Sequence, residues 1–155
     1  MPTTTSSTDR IQQQIQLDFP PSRVWRALTD AREFTRWFGC ELDGQFTAGA
    51  PIRGHVMMKG VKMPMELLVD RIEPERLFSF RWHPYAIDPA MDYSKEPRTL
   101  VTFTLESADG GTLLTVTETG FDAIPAARRA MAFEMNNKGW ASQVERIRKY
   151  LASGV

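Results

Sequence analysis

The run Phe133-Glu134-Met135-Asn136-Asn137-Lys138-Gly139-Trp140-Ala141-Ser142-Gln143-Val144-Glu145-Arg146-Ile147-Arg148-Lys149-Tyr150-Leu151 decides the fold. Phe133, Asn137, Trp140, Val144, Ile147 and Leu151 recur at steps of four and three. That spacing draws one stripe along a helix. Arg146, Arg148 and Lys149 crowd its last turns, where positive charge suits the helix dipole. Upstream the period changes to two. Ile11, Gln13, Ile15, Leu17 and Phe19 share one face of an extended segment and Gln12, Gln14, Gln16 and Asp18 the other, the mark of a half-buried strand. Pro20-Pro21 ends that strand, and Pro21 suits the first turn of a helix through Val24, Trp25 and Leu28. Asp30 followed by Glu33 reads as a capping box for a second short helix from Ala31 to Phe38, stopped by Gly39.

Between these helices and the last one lie strands. Glu41 to Phe46 is a weak strand, Ile52 to Met58 a second, and Met63, Met65, Leu67 and Val69 alternate in a third. Leu77 to Trp82 puts Phe78, Phe80 and Trp82 on one face. Thr99 to Ser107 and the β-branched Thr112 to Thr119 are joined by Asp109-Gly110-Gly111, a strong hairpin signal. The expected order is a strand, two short helices, six strands and a long helix. A sheet with one apolar face needs a cover, and the long helix is the element large enough to supply it. The fold class is therefore α+β, an antiparallel sheet of six or seven strands in meander-like order covered by the C-terminal helix.

Length and composition agree with one domain. The chain has 155 residues, 42% hydrophobic and 25% charged, enough for a core without staples. Nineteen basic residues balance nineteen acidic ones, so there is no electrostatic footprint for a nucleic-acid partner. A single cysteine, Cys40, excludes an internal disulfide framework. No apolar run is long enough to span a membrane. Residues 1–9 read as a Ser/Thr-rich disordered tail, and 10–155 as the domain. With neither a signal peptide nor paired cysteines, the expected location is cytoplasmic.

Val24-Trp25-Arg26-Ala27-Leu28-Thr29-Asp30, Phe34-Thr35-Arg36-Trp37-Phe38, Pro74-Glu75-Arg76-Leu77, Leu113 to Phe121 and Asn137 to Arg146 together resemble the START/Bet v 1-like (SRPBCC) superfamily. The likeness is strongest to homologues of the activator of the heat shock protein 90 ATPase. It covers residues 10–152. It implies the helix-grip fold, in which a curved sheet wraps around the C-terminal helix, and an apolar cavity between sheet and long helix. Proteins of this fold include hormone and lipid binders, polyketide cyclases and co-chaperone domains.

Candidate cavity walls are Trp37, Phe38, Met65, Phe80, Trp82, Tyr85, Phe103, Met131, Phe133 and Trp140, with Met57 and Met135 as further adaptable thioethers. Apolar periodicity alone is equally the mark of a solid core; the resemblance favours the hollow. Two polar residues fall on apolar faces. Asn137 interrupts the helix stripe, and Glu118 continues the Leu114, Val116 face. Each either meets a ligand's polar end or ends an element, as a restart cap or an exposed strand end. Gly139 costs a helix about 1 kcal/mol against Ala, so some gain must offset it.

Catalytic signals are sparse. His55 and His83 have no metal-ligand spacing, and no metal or cofactor is expected. No nucleophile motif is present, and Cys40 sits at the wrong end of a helix to be activated. His83, following Trp82 and set beside an acid such as Glu118, is the one acid–base candidate. The segment from His83 to Pro97 is too long for a simple hairpin, and reads as a lid or as a self-packed excursion. The leading expectation is a binder of a small hydrophobic or aromatic molecule. The alternatives are a co-chaperone-like module acting on a heat shock protein ATPase, and a polyketide cyclase/dehydratase-like enzyme. The first alternative is weakened because only Met1 to Arg10 precede the first strand. A homodimer is compatible with the sequence, but no motif specifies one.

Overall fold

Strands are the largest share of the regular structure in this molecule, and a computed structural model describes residues 9–154 of it. Strand β1 is Arg10–Leu17, followed by helices α1, Pro21–Thr29, and α2, Ala31–Phe38. Strands β2, Glu41–Asp43, β3, Pro51–Met58, β4, Val61–Glu73, β5, Leu77–Trp82, β6, Thr99–Ala108, and β7, Gly111–Thr119, come next. A 3-10 turn, Phe121–Ala123, leads into helix α3, Ala126–Ala152. The seven strands form one antiparallel sheet in the order β1-β7-β6-β5-β4-β3-β2. This is the helix-grip arrangement of the α+β class. Residues 1–8 of the expected tail lie outside the described residues. Asp9 is not free: its carboxylate accepts from the backbone N–H of Asp122 at 3.0 Å.

Local chemistry explains the junctions. Asp30 caps α2 by accepting from the backbone N–H of Arg32 and Glu33. Glu33 does not complete the capping box. It takes Arg23 at 2.8 Å, Arg26 at 2.7 Å and the Tyr150 hydroxyl at 2.8 Å, tying α1, α2 and α3 together. Burial alone would raise its carboxyl, but Tyr150, Arg23 and Arg26 hold it below its ordinary value. Gly39 ends α2 at φ 85°, in the left-handed region. Asp109 and Gly110, at φ 49° and 79°, both turn left-handed, as a two-residue primed hairpin turn requires.

One correction concerns a strand end. The weak strand expected through Phe46 stops at Asp43, and Phe46 instead packs its ring on Phe34 and Phe78 at 5.4 and 5.0 Å. Burying an aromatic ring outweighs continuing an edge strand. Gly54 makes β2 pairing feasible, since a Cβ there would stand 1.8 Å from the Glu41 carbonyl oxygen. In β4 the pairing slips between Val69 and Arg71. Ser79 fills the irregularity, donating to Asp70 at 2.9 Å and accepting from the Arg71 N–H at 3.2 Å. Such a bulge bends the strand and helps curve the sheet.

The concave side is filled by aromatic rings. Phe34, Trp37, Phe78, Phe80 and Phe103 are buried, and the Trp37 indole donates to the Ala27 carbonyl at 2.8 Å. From Trp140 onward the helix stripe is as the spacing predicts, with Trp140, Val144, Ile147 and Leu151 buried. Its first half is different. Steps of four back from Trp140 lead to Asn136 and Ala132, and it is Ala132 that is buried. Phe133 rests edge-on against Phe121 at 5.4 Å, and Asn137 is exposed, accepting from Gln13 of β1 at 3.1 Å. A stripe in fours and threes drifts only about 20° per heptad, so the change comes from where this half of α3 rests: against β1, with Phe133 on Phe121. Among the described residues no helix is long and apolar enough to cross a membrane.

Candidate binding cavity

Helix α3 rests chiefly on β1 and α2. The β3–β4 hairpin stands away from it, and the gap, which begins beside Trp82 at the end of β5, is a cavity of about 1060 Å³, open to solvent. One wall is helical, with Asn136, Gly139, Trp140, Gln143 and Arg146. A second comes from β3 and β4, with Gly54, Val56, Met58, Met63 and Met65. The third is the segment after β5, with Trp82, His83, Tyr85 and the loop as far as Arg98. Phe38 and Gly39, at the end of α2, close one side.

Of the expected wall residues, the structure brings together Phe38, Met65, Trp82, Tyr85 and Trp140, along with Met57. It leaves Trp37, Phe80 and Phe103 behind the wall in the filled core. Met131 and Met135 are exposed, and Phe133 and Asn137 face away from the hollow. The hollow is thus not the whole space between helix and sheet. It occupies the side where the helix does not reach the sheet.

Phe38, Trp82 and Trp140 form one aromatic cluster at the cavity wall, with Tyr85 and Tyr93 on the loop side. Trp82 and Trp140 lie 5.8 Å apart between centroids with a 31° tilt, and Phe38 meets them edge-on at 5.9 and 6.3 Å. Their orientation is set from beneath by Glu118. Its carboxylate accepts from the indole N–H of Trp82 at 2.8 Å and of Trp140 at 2.8 Å. It also accepts from the Thr99 hydroxyl at 2.6 Å and from the Asn136 amide at 3.0 and 3.2 Å. Glu118 is fully buried, and burial pushes its carboxyl up while the four donor groups pull it down; burial prevails. The period of two correctly sends Glu118 inward. Its oxygens, however, are taken by the protein and do not face a guest. The strand register explains the partner set, because Val101 opposes Glu118 and Thr99 opposes Trp82.

Asn136, not Asn137, is the amide at this site. Its one sequence signal is that it stands four residues before Trp140, on the same helical face as an indole whose N–H needs an acceptor. Gln143 is a second polar group without a sequence signal. Its amide N–H donates to the Phe38 carbonyl at 3.1 Å, and its Oε1 is buried with no partner among the described residues.

His83 lines the cavity, but its ring meets the Glu96 carbonyl at 3.2 Å and not Glu118. Burial, and then the charge of Arg98, lower its pKa, so it is the neutral imidazole that faces the hollow. Burial, and then Glu41, push the Cys40 thiol up to about 12. Among the described residues no group of three His, Cys, Asp or Glu could hold a metal ion.

The long loop is clipped at both roots. Arg128, at the start of α3, bonds Glu96 at 2.8 Å and the Pro84 carbonyl at 2.7 Å, and lies over the Tyr93 ring at 4.8 Å. Arg98 pairs with Glu66, which also holds Arg53 at 2.7 Å. The loop both covers the cavity and packs its own side chains: the Tyr93 hydroxyl accepts from the Asp88 N–H at 3.1 Å.

The family model described as Activator of Hsp90 ATPase homolog 1-like protein matches residues 18–152. The chain belongs to this family. No curated protein matches. Among solved structures, protein MLL2253 from Mesorhizobium loti is 24% identical with a TM-score of 0.74, over 93% of this chain and 97% of that one. DynU16, a putative protein in the dynemicin biosynthetic locus, is 27% identical with a TM-score of 0.71. That alignment takes in 94% of this chain but 48% of DynU16, about half its length. The Aha1 dimer from Colwellia psychrerythraea is 19% identical, with a TM-score of 0.67, over 90% of this chain and 92% of that one, a likeness of fold.

Proposed function

We propose that this family member binds a small hydrophobic or aromatic molecule in the cavity beside α3. The observation that carries the reading is the cavity itself: about 1060 Å³, with two indoles and a phenyl ring on its wall. Pockets of this kind fall at or near the upper end of the range that holds small ligands. A guest that buries about 200 Å² of apolar surface gains about 5 kcal/mol before ordering costs. The Met residues of β3 and β4 add an adaptable wall.

The test is titration with N-phenyl-1-naphthylamine, a neutral apolar fluorophore. Binding should raise its emission and quench Trp82 and Trp140, with saturation at roughly one probe per chain. An unsaturable or absent response refutes the reading.

A cyclase-like activity is the alternative that DynU16 supports, since that protein comes from a biosynthetic locus. His83 would be its acid–base group. Turnover of a polyketide-like substrate that His83→Ala abolishes, without loss of folding, would favour it. The family name supports a chaperone ATPase as partner, which a pull-down measures, and the Aha1 dimer supports a second copy of the chain, which sedimentation measures.

A further inference from the structure

The charges around the cavity are unequally engaged. Glu66 is held by Arg53 and Arg98. Asp88 and Asp92 accept from backbone N–H groups two residues on, Ala90 and Ser94, each at 2.9 Å. Every carboxylate on the wall therefore has a protein partner. Arg146 has none among the described residues: it makes no ion pair and no hydrogen bond. Its guanidinium lies over Gly39, where a Cβ would stand 2.9 Å from Nη2. Gly39 thus brings Arg146 down onto the cavity wall next to Phe38. Gln143 and Trp140, three and six residues earlier on α3, line the same cavity. Arg146 is exposed at the rim, and its planar fork of donors matches the paired oxygens of an anion such as a carboxylate; the aromatic surface beside it favours one carried on a flat ring system.

We propose that the cavity's ligand is an aromatic acid, its rings against Trp82 and Trp140 and its carboxylate held by Arg146. This rests on the binding reading above and names the ligand class. Lys62, a second wall cation without a partner among the described residues, is on the opposite hairpin and serves as the internal control.

The test uses the full chain at neutral pH and low salt, with quenching of tryptophan emission as readout. The probes are anthraquinone-2-carboxylate and its neutral isostere anthraquinone-2-carboxamide. The acid should bind roughly ten- to a hundredfold tighter than the amide, the range for one charge-assisted pair. Arg146→Gln should bring the acid down to the affinity of the amide and leave the amide unchanged. Arg146→Lys should keep part of the preference, and Lys62→Gln all of it. Equal affinities in the wild type overturn the inference while the bound amide leaves the binding reading standing. A preference that survives Arg146→Gln, or that Lys62→Gln removes, also overturns it. So does an Arg146→Gln variant that loses both probes alike, because the arginine would then only support the turn at Gly39. Binding of neither probe overturns both readings.

Discussion

Replacing Glu118 by Gln removes a buried charge from beneath the cavity and turns one acceptor oxygen into a donor. Oε2 receives Trp82 and Thr99, Oε1 receives Trp140, and Asn136 reaches both. If the amide nitrogen takes the Oε2 side, the Thr99 hydroxyl can turn to accept, but the Trp82 N–H faces another donor. In the reverse orientation the Trp140 N–H does. One indole N–H is left buried without an acceptor, at a cost of about 1–3 kcal/mol. A protonated Glu118 avoids this, since its hydroxyl can donate to Thr99 while both oxygens still accept. The folded carboxyl stands above its ordinary value because burial outweighs its donors. The folded state therefore holds the proton more tightly than the unfolded chain. Glu118's contribution is full at pH below the ordinary carboxylate value and falls as pH rises through the raised one, by at most about 1.4 kcal/mol per pH unit. Gln does not titrate. The variant should thus be less stable by about 1–3 kcal/mol near pH 4, and the gap should narrow towards pH 8. Urea unfolding followed by tryptophan emission at several pH values measures it. A gap that widens with pH refutes the reasoning, because it would mean that the donors outweigh burial.

Other perturbations follow from single contacts. Asp30→Ala removes the α2 cap and should cost about 1 kcal/mol in chemical unfolding. Arg128→Ala unclips the loop from Glu96 and Pro84, and should speed limited proteolysis between residues 84 and 97 while strands β1 and β7 stay protected from hydrogen exchange. Cys40, whose thiol is pushed up to about 12, should resist iodoacetamide in the folded protein and react on unfolding; fast labelling of the native chain would contradict its burial.

The legible parts of this protein are those where chemistry is local. Asp30, Gly39 and the Asp109-Gly110 pair act within four residues of themselves, so their caps and turn can be read directly. The period of two places Glu118 inward for the same reason. The cavity is not local. Phe80 and Trp82 share one face of β5, yet Phe80 is core and Trp82 is wall, because Phe34 of α2 packs on Phe80 while Trp82, at the strand's end, meets Phe38 and Trp140 at the edge of the hollow. Asn136 and Asn137 differ by one residue, and only the resting place of α3 on β1 decides which meets Glu118. Arg146 looks in sequence like a charge that suits a helix end; its position over Gly39 comes from the packing of α2 against α3.

Gly139 offers the most direct test that the hollow is a binding site. It lines the cavity, and a Cβ built there meets nothing within 4 Å, so the space beside it is empty and not needed for packing. Gly139→Leu should project into that space, leave the melting temperature unchanged or raise it through better helix propensity, and weaken N-phenyl-1-naphthylamine binding by roughly tenfold or more. Unchanged affinity in a folded Gly139→Leu variant would contradict the account.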